Sequence, residues 1–249
     1  MDEVDYSKIK GIADEKHFDE FIPLVGGERV DPLITRQGVK KADYLFREAK
    51  VVCELKVLET EFGQTPEAEA KADLIFEKYK DDKSDEGHRR MMVELNGILK
   101  APLQRIVRKA NTQIKETKQE LNLVGYEGVL ICVNDNFRGA TPAHVIGTLA
   151  QIMSGQSYRS IRAVVYLTNH YVEIPDHPDA LLLWQPMYSD LASENLPRFI
   201  NVLGRAWGDF TESQTGPFTS RTEHERIDLT PATVVTGLRR NVQYRGPSF

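Results

Sequence analysis

The sequence predicts an α/β protein in which helices cover both faces of a mixed central sheet. Three observations support this: short apolar runs typical of buried strands, longer segments with helical spacing of apolar residues, and their alternation along the chain. Strands separated by helices imply crossover connections and therefore some parallel pairs. The 249 residues are 41% hydrophobic and 28% charged, which is ordinary for a globular domain with its own core.

The N-terminal part of the chain predicts a helix, a short strand and a β-hairpin. Residues 5–24 carry apolar side chains loosely on one side, which is typical of an amphipathic helix, and residues 30–34 predict a short strand. Two segments rich in apolar and β-branched residues, 42–47 and 51–58, are separated by three residues. That spacing predicts a β-hairpin.

The remainder of the chain predicts four helices and three buried strands. Thr141 and Pro142 suit the N-cap and first position of one helix, and Pro102 is expected to kink or break the longest one. Residues 211–249 are polar and without clear periodicity, so we expect a domain over residues 1–210 followed by a tail or arm. The predicted helices are 66–80, 88–122, 142–153 and 193–207, and the predicted strands are 129–133, 161–167 and 180–184.

Charge is segregated along the chain, which the formal net charge of −5 hides. A protein that coats nucleic acid non-specifically is usually basic overall, so a nucleic-acid site here must be local. Residues 100–118 carry six Lys and Arg residues against one acid. The last twelve residues carry Arg239, Arg240 and Arg245 and no acid.

Several classes of protein are excluded by what the sequence lacks. Cys53 and Cys132 lie in apolar runs and are expected to be buried thiols in a reducing compartment. No apolar segment is long enough to span a membrane, and the acidic N-terminus is unlike a signal peptide, so we expect a cytoplasmic protein. The absence of zinc-like spacings, a Gly-rich phosphate loop, a Gly-x-Ser-x-Gly turn and a Rossmann fingerprint excludes zinc sites, nucleotide hydrolases, serine hydrolases and dehydrogenases.

The pair Glu54 and Lys56 is the most informative polar pattern in the chain. The spacing acid-x-Lys occurs six times, but only this copy lies inside an apolar strand. Residues two apart in a strand share a face, so both charges point the same way. If the hairpin turns at residues 48–49, Asp43 lies opposite Glu54, with Cβ atoms about 4.5–5.5 Å apart.

Two carboxylates at that separation repel each other unless a cation lies between them. A hard divalent ion such as Mg²⁺ binds through one or two carboxylates, with water and phosphate oxygens completing its shell. Lys56 would then reach the water beside that ion. The alternative interpretation is a structural cross-strand cluster of ion pairs on a solvated face of the sheet.

This set of residues resembles a known nuclease signature. Ala42-Asp43, ten intervening residues and then Glu54-Leu55-Lys56 resemble the PD-(D/E)XK pattern of the restriction-endonuclease-like superfamily, with Ala42 in place of the usual proline. The order of elements over residues 10–170 resembles the core of that superfamily. Residues 107–118 resemble the helix that often follows the hairpin.

The resemblance implies a role for each residue of the signature. Asp43 and Glu54 would bind Mg²⁺, or Mn²⁺ as a substitute, with the Leu55 carbonyl as a third ligand. Lys56 would orient or deprotonate the attacking water, or stabilise the phosphate in the transition state. The superfamily often adds a carboxylate from the first helix, for which the candidates are Glu20 and then Glu28.

Basic and amide side chains elsewhere are candidates for contacts with the nucleic-acid backbone. Arg105, Lys109 and Gln113 lie on the basic helix and could line a phosphate-binding groove, but a solvated helix face explains them equally well. Arg138 lies between a strand and a helix N-terminus, where anions are attracted, although a plain connecting loop is the simpler explanation.

The resemblance implies a magnesium-dependent DNA endonuclease of the restriction or anti-phage type. A double-strand cutter needs two active sites, so we expect a homodimer or a complex with a partner protein on double-stranded DNA. The alternative is a nucleic-acid-binding or assembly subunit of the same fold that does not cleave. RNA is a further possible substrate, since the sequence does not distinguish it from DNA.

Overall fold

The computed structural model describes residues 12–223 and 227–234. The helices in these residues are α1 (Glu15–Leu24), α2 (Pro66–Tyr79), α3 (Asp85–Glu120), α4 (Pro142–Met153) and α5 (Asn195–Thr215). The strands are β1 (Glu28–Arg29), β2 (Tyr44–Phe46), β3 (Val51–Leu58), β4 (Glu127–Asn134), β5 (Ala163–Thr168), β6 (Val172–Glu173), β7 (Trp184–Tyr188) and β8 (Thr233–Val234). The first eleven residues and the basic residues Arg239, Arg240 and Arg245 lie outside the described residues.

Six of these strands form one mixed sheet in the order β1-β2-β3-β4-β5-β7. The three central strands β3, β4 and β5 are parallel, and the outer pairs are antiparallel. Strands β6 and β8 form a separate antiparallel pair that the sequence analysis missed. The predicted α/β class with a mixed sheet is confirmed.

Each face of the sheet has its own hydrophobic core. Side chains alternate between the faces along a strand, so Val52 of β3 and Leu130 of β4 pack with Val107 of α3 and with buried residues of α4. On the opposite face α1 and α5 pack together, and the rings of Phe18 and Trp207 stack with centroids 4.4 Å apart. The predicted cover of helices on both faces is therefore confirmed.

The hairpin formed by β2 and β3 has the predicted register. Tyr44 pairs with Cys53, and Phe46 pairs with Val51, so the numbers of paired residues sum to 97. The turn includes Lys50 with a φ of 54°, a left-handed backbone conformation that occurs in tight turns. Because register sets which side chains share a face, this pairing positions the polar residues of β3.

Two predicted strands were wrong. Residues 30–34 do not form a strand: Asp31–Leu33 form a 3₁₀ turn, because Pro32 has no N–H to donate to a ladder. Residues 180–184 also do not form the predicted strand, since β7 begins at Trp184. The apolar run indicated burial near β5 but did not specify which residues pair with that strand. The residues that pair with β5 are those of β7, which include a proline. Proline is tolerated there because β7 is an edge strand.

Several helix boundaries also differ from the predictions. Within the described residues α1 begins only at Glu15, after Asp14 accepts a hydrogen bond from the backbone N–H of His17 at 2.9 Å. Helix α3 is not broken at Pro102. Helix α5 extends to Thr215 rather than ending at residue 207, because Phe210 still packs on Phe21 of α1, with ring centroids 5.5 Å apart. The division into a domain over residues 1–210 and a tail after it stays a prediction.

Two further findings concern the helices and the cysteines of the described residues. None of the helices described is both long and apolar enough to cross a membrane. Cys53 and Cys132 are buried free thiols in adjacent parallel strands, as predicted.

Candidate active site

Asp43 lies immediately before β2, at the point where its ladder with β3 ends. Its N–H donates to the carbonyl of Cys53 at 3.2 Å, and its carbonyl accepts from the N–H of Val30 at 2.9 Å. Its carboxylate accepts from the N–H of Leu55 at 2.7 Å. The sequence analysis expected Asp43 to pair with Glu54, but the backbone of Asp43 bonds to Cys53 instead. The Asp43 carboxylate accepts from the N–H of Leu55, where a neighbouring strand would otherwise supply a carbonyl.

Glu54 is fully buried, with no exposed surface. One carboxylate oxygen, Oε1, forms an ion pair with Lys56, whose side chain is 26% exposed. The other, Oε2, is buried and has no hydrogen-bond partner in the part of the chain that the structure describes. By strand alternation both side chains lie on the same face of β3, as predicted, and that face is the one that α3 covers.

Burial favours the protonated form of both carboxyl groups. Burial and the negative charge of Asp43 raise the pKa of Glu54 to about 8, and Lys56 opposes that rise. Burial also raises the pKa of Asp43, against the hydrogen bond from Leu55 and the charge of Lys56. In the absence of a bound cation, the pair therefore holds a proton near neutral pH.

The same geometry fits a divalent cation. Asp43 and Glu54 offer two carboxylates, and no residue within 12–223 or 227–234 donates a hydrogen bond to Oε2 of Glu54. A strand residue directs its N–H and C=O to the same side, so the Leu55 carbonyl points toward Asp43, to which its N–H is bonded. Among the described residues no group of three or more His, Cys, Asp and Glu side chains could hold a metal, so water and substrate oxygens would complete the shell, as Mg²⁺ prefers.

Neither candidate for a further carboxylate lies beside this pair. Glu20 is exposed, and its nearest charged partner is a lysine of the same helix at 3.9 Å. Glu28 accepts from Arg47 at 2.5 Å near the turn of the hairpin. The α1 carboxylate whose charge raises the pKa of Asp43 is instead Glu15.

The sequence analysis missed Glu15, although a signal was present. Glu15 precedes the buried residues Phe18 and Ile22 by three and seven positions, so it lies at the edge of the buried stripe of α1. Glu20 lies on the solvent side of the same helix.

The candidates on α3 have two different environments. The side-chain amide of Gln113 donates to the carbonyl of Lys41 at 2.9 Å, so it contacts this chain's own backbone. Lys109 and Arg105 are exposed, and within the described part of the chain neither forms a hydrogen bond or ion pair. Lys109 lies one turn before Gln113, on the flank of α3 that faces the segment leading into Asp43.

Arg138 lies in a loop held by Glu61, a second residue that the sequence analysis missed. The Glu61 carboxylate is buried and accepts from the N–H groups of Arg138 and Gly139 at 2.7 and 2.6 Å. The guanidinium of Arg138 donates to the carbonyl of Asp135 at 3.3 and 3.4 Å. Because β3 and β4 are parallel, this loop lies at the same edge of the sheet as the residues that follow Lys56.

Comparisons with protein-family models, with curated proteins and with solved structures found no match to this chain.

Proposed function

We propose that this protein is a magnesium-dependent nuclease that hydrolyses phosphodiester bonds in DNA. The observation that carries the proposal is the buried Oε2 of Glu54, which receives no hydrogen bond from any described residue and lies beside the carboxylate of Asp43. A carboxylate oxygen in that position needs a proton or a metal ion.

The charge balance of the site favours a metal over a purely structural ion cluster. In the metal-free protein a proton on the carboxyl pair keeps the site neutral near neutral pH. Once that proton is lost, two carboxylates and the Lys56 ammonium leave one negative charge at a site where Glu54 is fully buried, which is costly. A divalent cation converts this to one positive charge, which complements the single negative charge of a phosphodiester. A structural cluster on a solvated face would instead leave Glu54 accessible to water, and Glu54 is fully buried.

Each residue has a role that follows from its position. Asp43 and Glu54 would hold the ion, with the Leu55 carbonyl as a third ligand. When bound, the ion supplies positive charge against the transferring phosphate and acidifies water. Lys56 is partly exposed beside Glu54, so its ammonium can contact a phosphate oxygen or orient the attacking water.

The choice of DNA and of a restriction or anti-phage role follows from the resemblance to restriction-endonuclease-like nucleases. The exposed cations Arg105 and Lys109 on α3 are suited to contacts with the backbone, which position a substrate without reading its sequence. Cleavage of both strands requires two such sites, so a homodimer or a partner protein belongs to the proposal.

The test is cleavage by the purified protein of supercoiled plasmid, linear duplex DNA and single-stranded RNA, each with Mg²⁺, Mn²⁺ or EDTA. We expect cleavage of DNA with either metal and none with EDTA. Asp43→Asn should abolish it, whereas Asp73→Asn, which changes an exposed carboxylate of α2, should not. Cleavage that persists in EDTA or in Asp43→Asn would overturn the proposal, and cleavage of RNA alone would change the substrate.

Binding of DNA without cleavage under all of these conditions would support the alternative, a subunit that binds nucleic acid but does not cut it. That result would also overturn the assignment of Lys56 as a catalytic residue.

A further inference from the structure

One peptide group, between Lys41 and Ala42, is bound at both of its polar atoms by side chains of α3. The amide of Gln113 donates to the Lys41 carbonyl at 2.9 Å. The N–H of Ala42 donates to the hydroxyl of Thr117 at 2.7 Å, and Thr117 is fully buried.

These contacts replace a missing neighbouring strand. The ladder of β2 begins at Tyr44, so the peptide group between Lys41 and Ala42 lies outside it. Gln113 and Thr117 are four residues apart and therefore lie one above the other on the same side of α3. Together they satisfy an N–H and a C=O that a buried chain must pair.

The residue after this peptide group is Asp43. We propose that Gln113 and Thr117 are positioning residues that hold the Asp43 carboxylate at the correct distance from Glu54, an inference that rests on the proposed nuclease function. Helix α3 is itself fixed on the sheet through Val107 and Ala110, which are fully buried. The helix that carries the exposed basic residues thus also determines the position of one metal ligand.

A small shift of Ala42 would be transmitted to the site. Backbone hydrogen bonds to Cys53 and Val30 hold Asp43 itself. The direction in which the chain reaches Asp43 is set by the preceding peptide group, which Gln113 and Thr117 hold. A misplacement of about 1 Å at a reacting centre can lower a rate by about a hundredfold. The hydrogen bonds of Gln113 and Thr117 are therefore expected to affect turnover and metal affinity more than substrate binding.

The experiment compares four variants of the full chain by Mn²⁺ calorimetry and by steady-state cleavage of plasmid DNA. Thr117→Val removes the hydroxyl acceptor, Thr117→Ser keeps it, and Gln113→Met removes the amide donor with little change in shape. Thr112→Val is the matched control, because its hydroxyl bonds only to the carbonyl of Arg108 within α3.

Thr117→Val is expected to weaken Mn²⁺ binding by about tenfold and to lower kcat by up to about a hundredfold, with KM for DNA nearly unchanged. Gln113→Met should show a smaller loss of the same kind. Thr117→Ser should restore both quantities, and Thr112→Val should match the wild type. Mn²⁺ affinity distinguishes positioning from unfolding, because unfolding lowers the fraction of binding sites without changing their affinity.

The failure of this inference is distinguishable from the failure of the proposed function. A wild-type protein that binds Mn²⁺ and cleaves DNA, with Thr117→Val and Gln113→Met unchanged in both, overturns the positioning role alone. If Thr117→Val does not fold, the test rests on Gln113→Met. Wild-type Mn²⁺ affinity and wild-type kcat in Gln113→Met would then overturn the positioning role alone. A wild-type protein that neither binds Mn²⁺ nor cleaves overturns the proposed function and the inference together.

Discussion

Replacing Glu54 by glutamine should stabilise the metal-free protein, and the gain should grow as the pH rises. The folded protein holds the proton of Glu54 more tightly than the unfolded chain does, because burial and Asp43 raise its pKa from 4.5 to about 8. At a pH below the pKa of Glu54 in the unfolded chain, Glu54 is protonated in both the folded and the unfolded state. The contribution of its raised pKa to the stability is then complete. Between the two pKa values the unfolded chain loses the proton first, so stability falls as the pH rises and is fully lost above the folded pKa.

The magnitude follows from the size of the shift. Each pKa unit corresponds to about 1.4 kcal/mol, so the rise from 4.5 to about 8 corresponds to roughly 5 kcal/mol over the full range. From about pH 5 to about pH 8 the wild type should lose about 3.5 kcal/mol relative to Glu54→Gln. Glutamine has nearly the same shape, and its amide can donate to Asp43 where the protonated Glu54 would.

The assay is urea denaturation in EDTA at several values between about pH 5 and about pH 8. The control is Glu48→Gln, which changes an exposed carboxylate in the turn of the same hairpin and should track the wild type. Added Mn²⁺ should stabilise the wild type, by about 2.7 kcal/mol at a hundred times its Kd, but not Glu54→Gln. A stability difference that does not change with pH, or that shrinks as the pH rises, would refute this account of Glu54.

Three further predictions concern cleavage and DNA binding. Asp43→Ala should abolish cleavage. Above about pH 8, where both carboxyl groups of the metal-free protein are ionised, its melting temperature should stay level or rise, since the substitution relieves their repulsion. Lys56→Ala should keep Mn²⁺ binding in calorimetry but lose most turnover, because Lys56 is not a metal ligand. Lys109→Ala should weaken binding equally across DNA sequences and reduce the slope of log affinity against log salt by about one. Lys115→Ala, an exposed lysine on the other flank of α3, should leave that slope unchanged.

Each of these predictions has a contrary outcome. Wild-type cleavage by Asp43→Ala would remove Asp43 from the site. Loss of Mn²⁺ affinity in Lys56→Ala would mean that the lysine helps to hold the metal. An effect of Lys109→Ala on one DNA sequence only would indicate base recognition, and equal effects of Lys109→Ala and Lys115→Ala would mean that DNA does not approach along the flank of Lys109.

The hairpin and the charge pair on β3 were predictable from the sequence because their determinants are local. The spacing of apolar runs around residues 48–50 specified the turn, and the turn specified the register of three residue pairs. The alternation of side chains then placed Glu54 and Lys56 on one face. Where a local signal was ambiguous, as in residues 30–34 and 180–184, the prediction was wrong, since an apolar run indicates burial without specifying a ladder.

The sequence by itself determined the α/β class, the hairpin, and the three residues Asp43, Glu54 and Lys56. Only the tertiary structure decided what surrounds them: Thr117 bonds to a residue 75 positions away, Gln113 to one 72 positions away, and Glu61 to one 78 positions away. Nothing in the neighbouring sequence specifies such partners, because they depend on how α3 and the loop after β4 pack on the sheet. The same packing buries Glu54 completely and raises its pKa, since desolvation depends on what covers a residue.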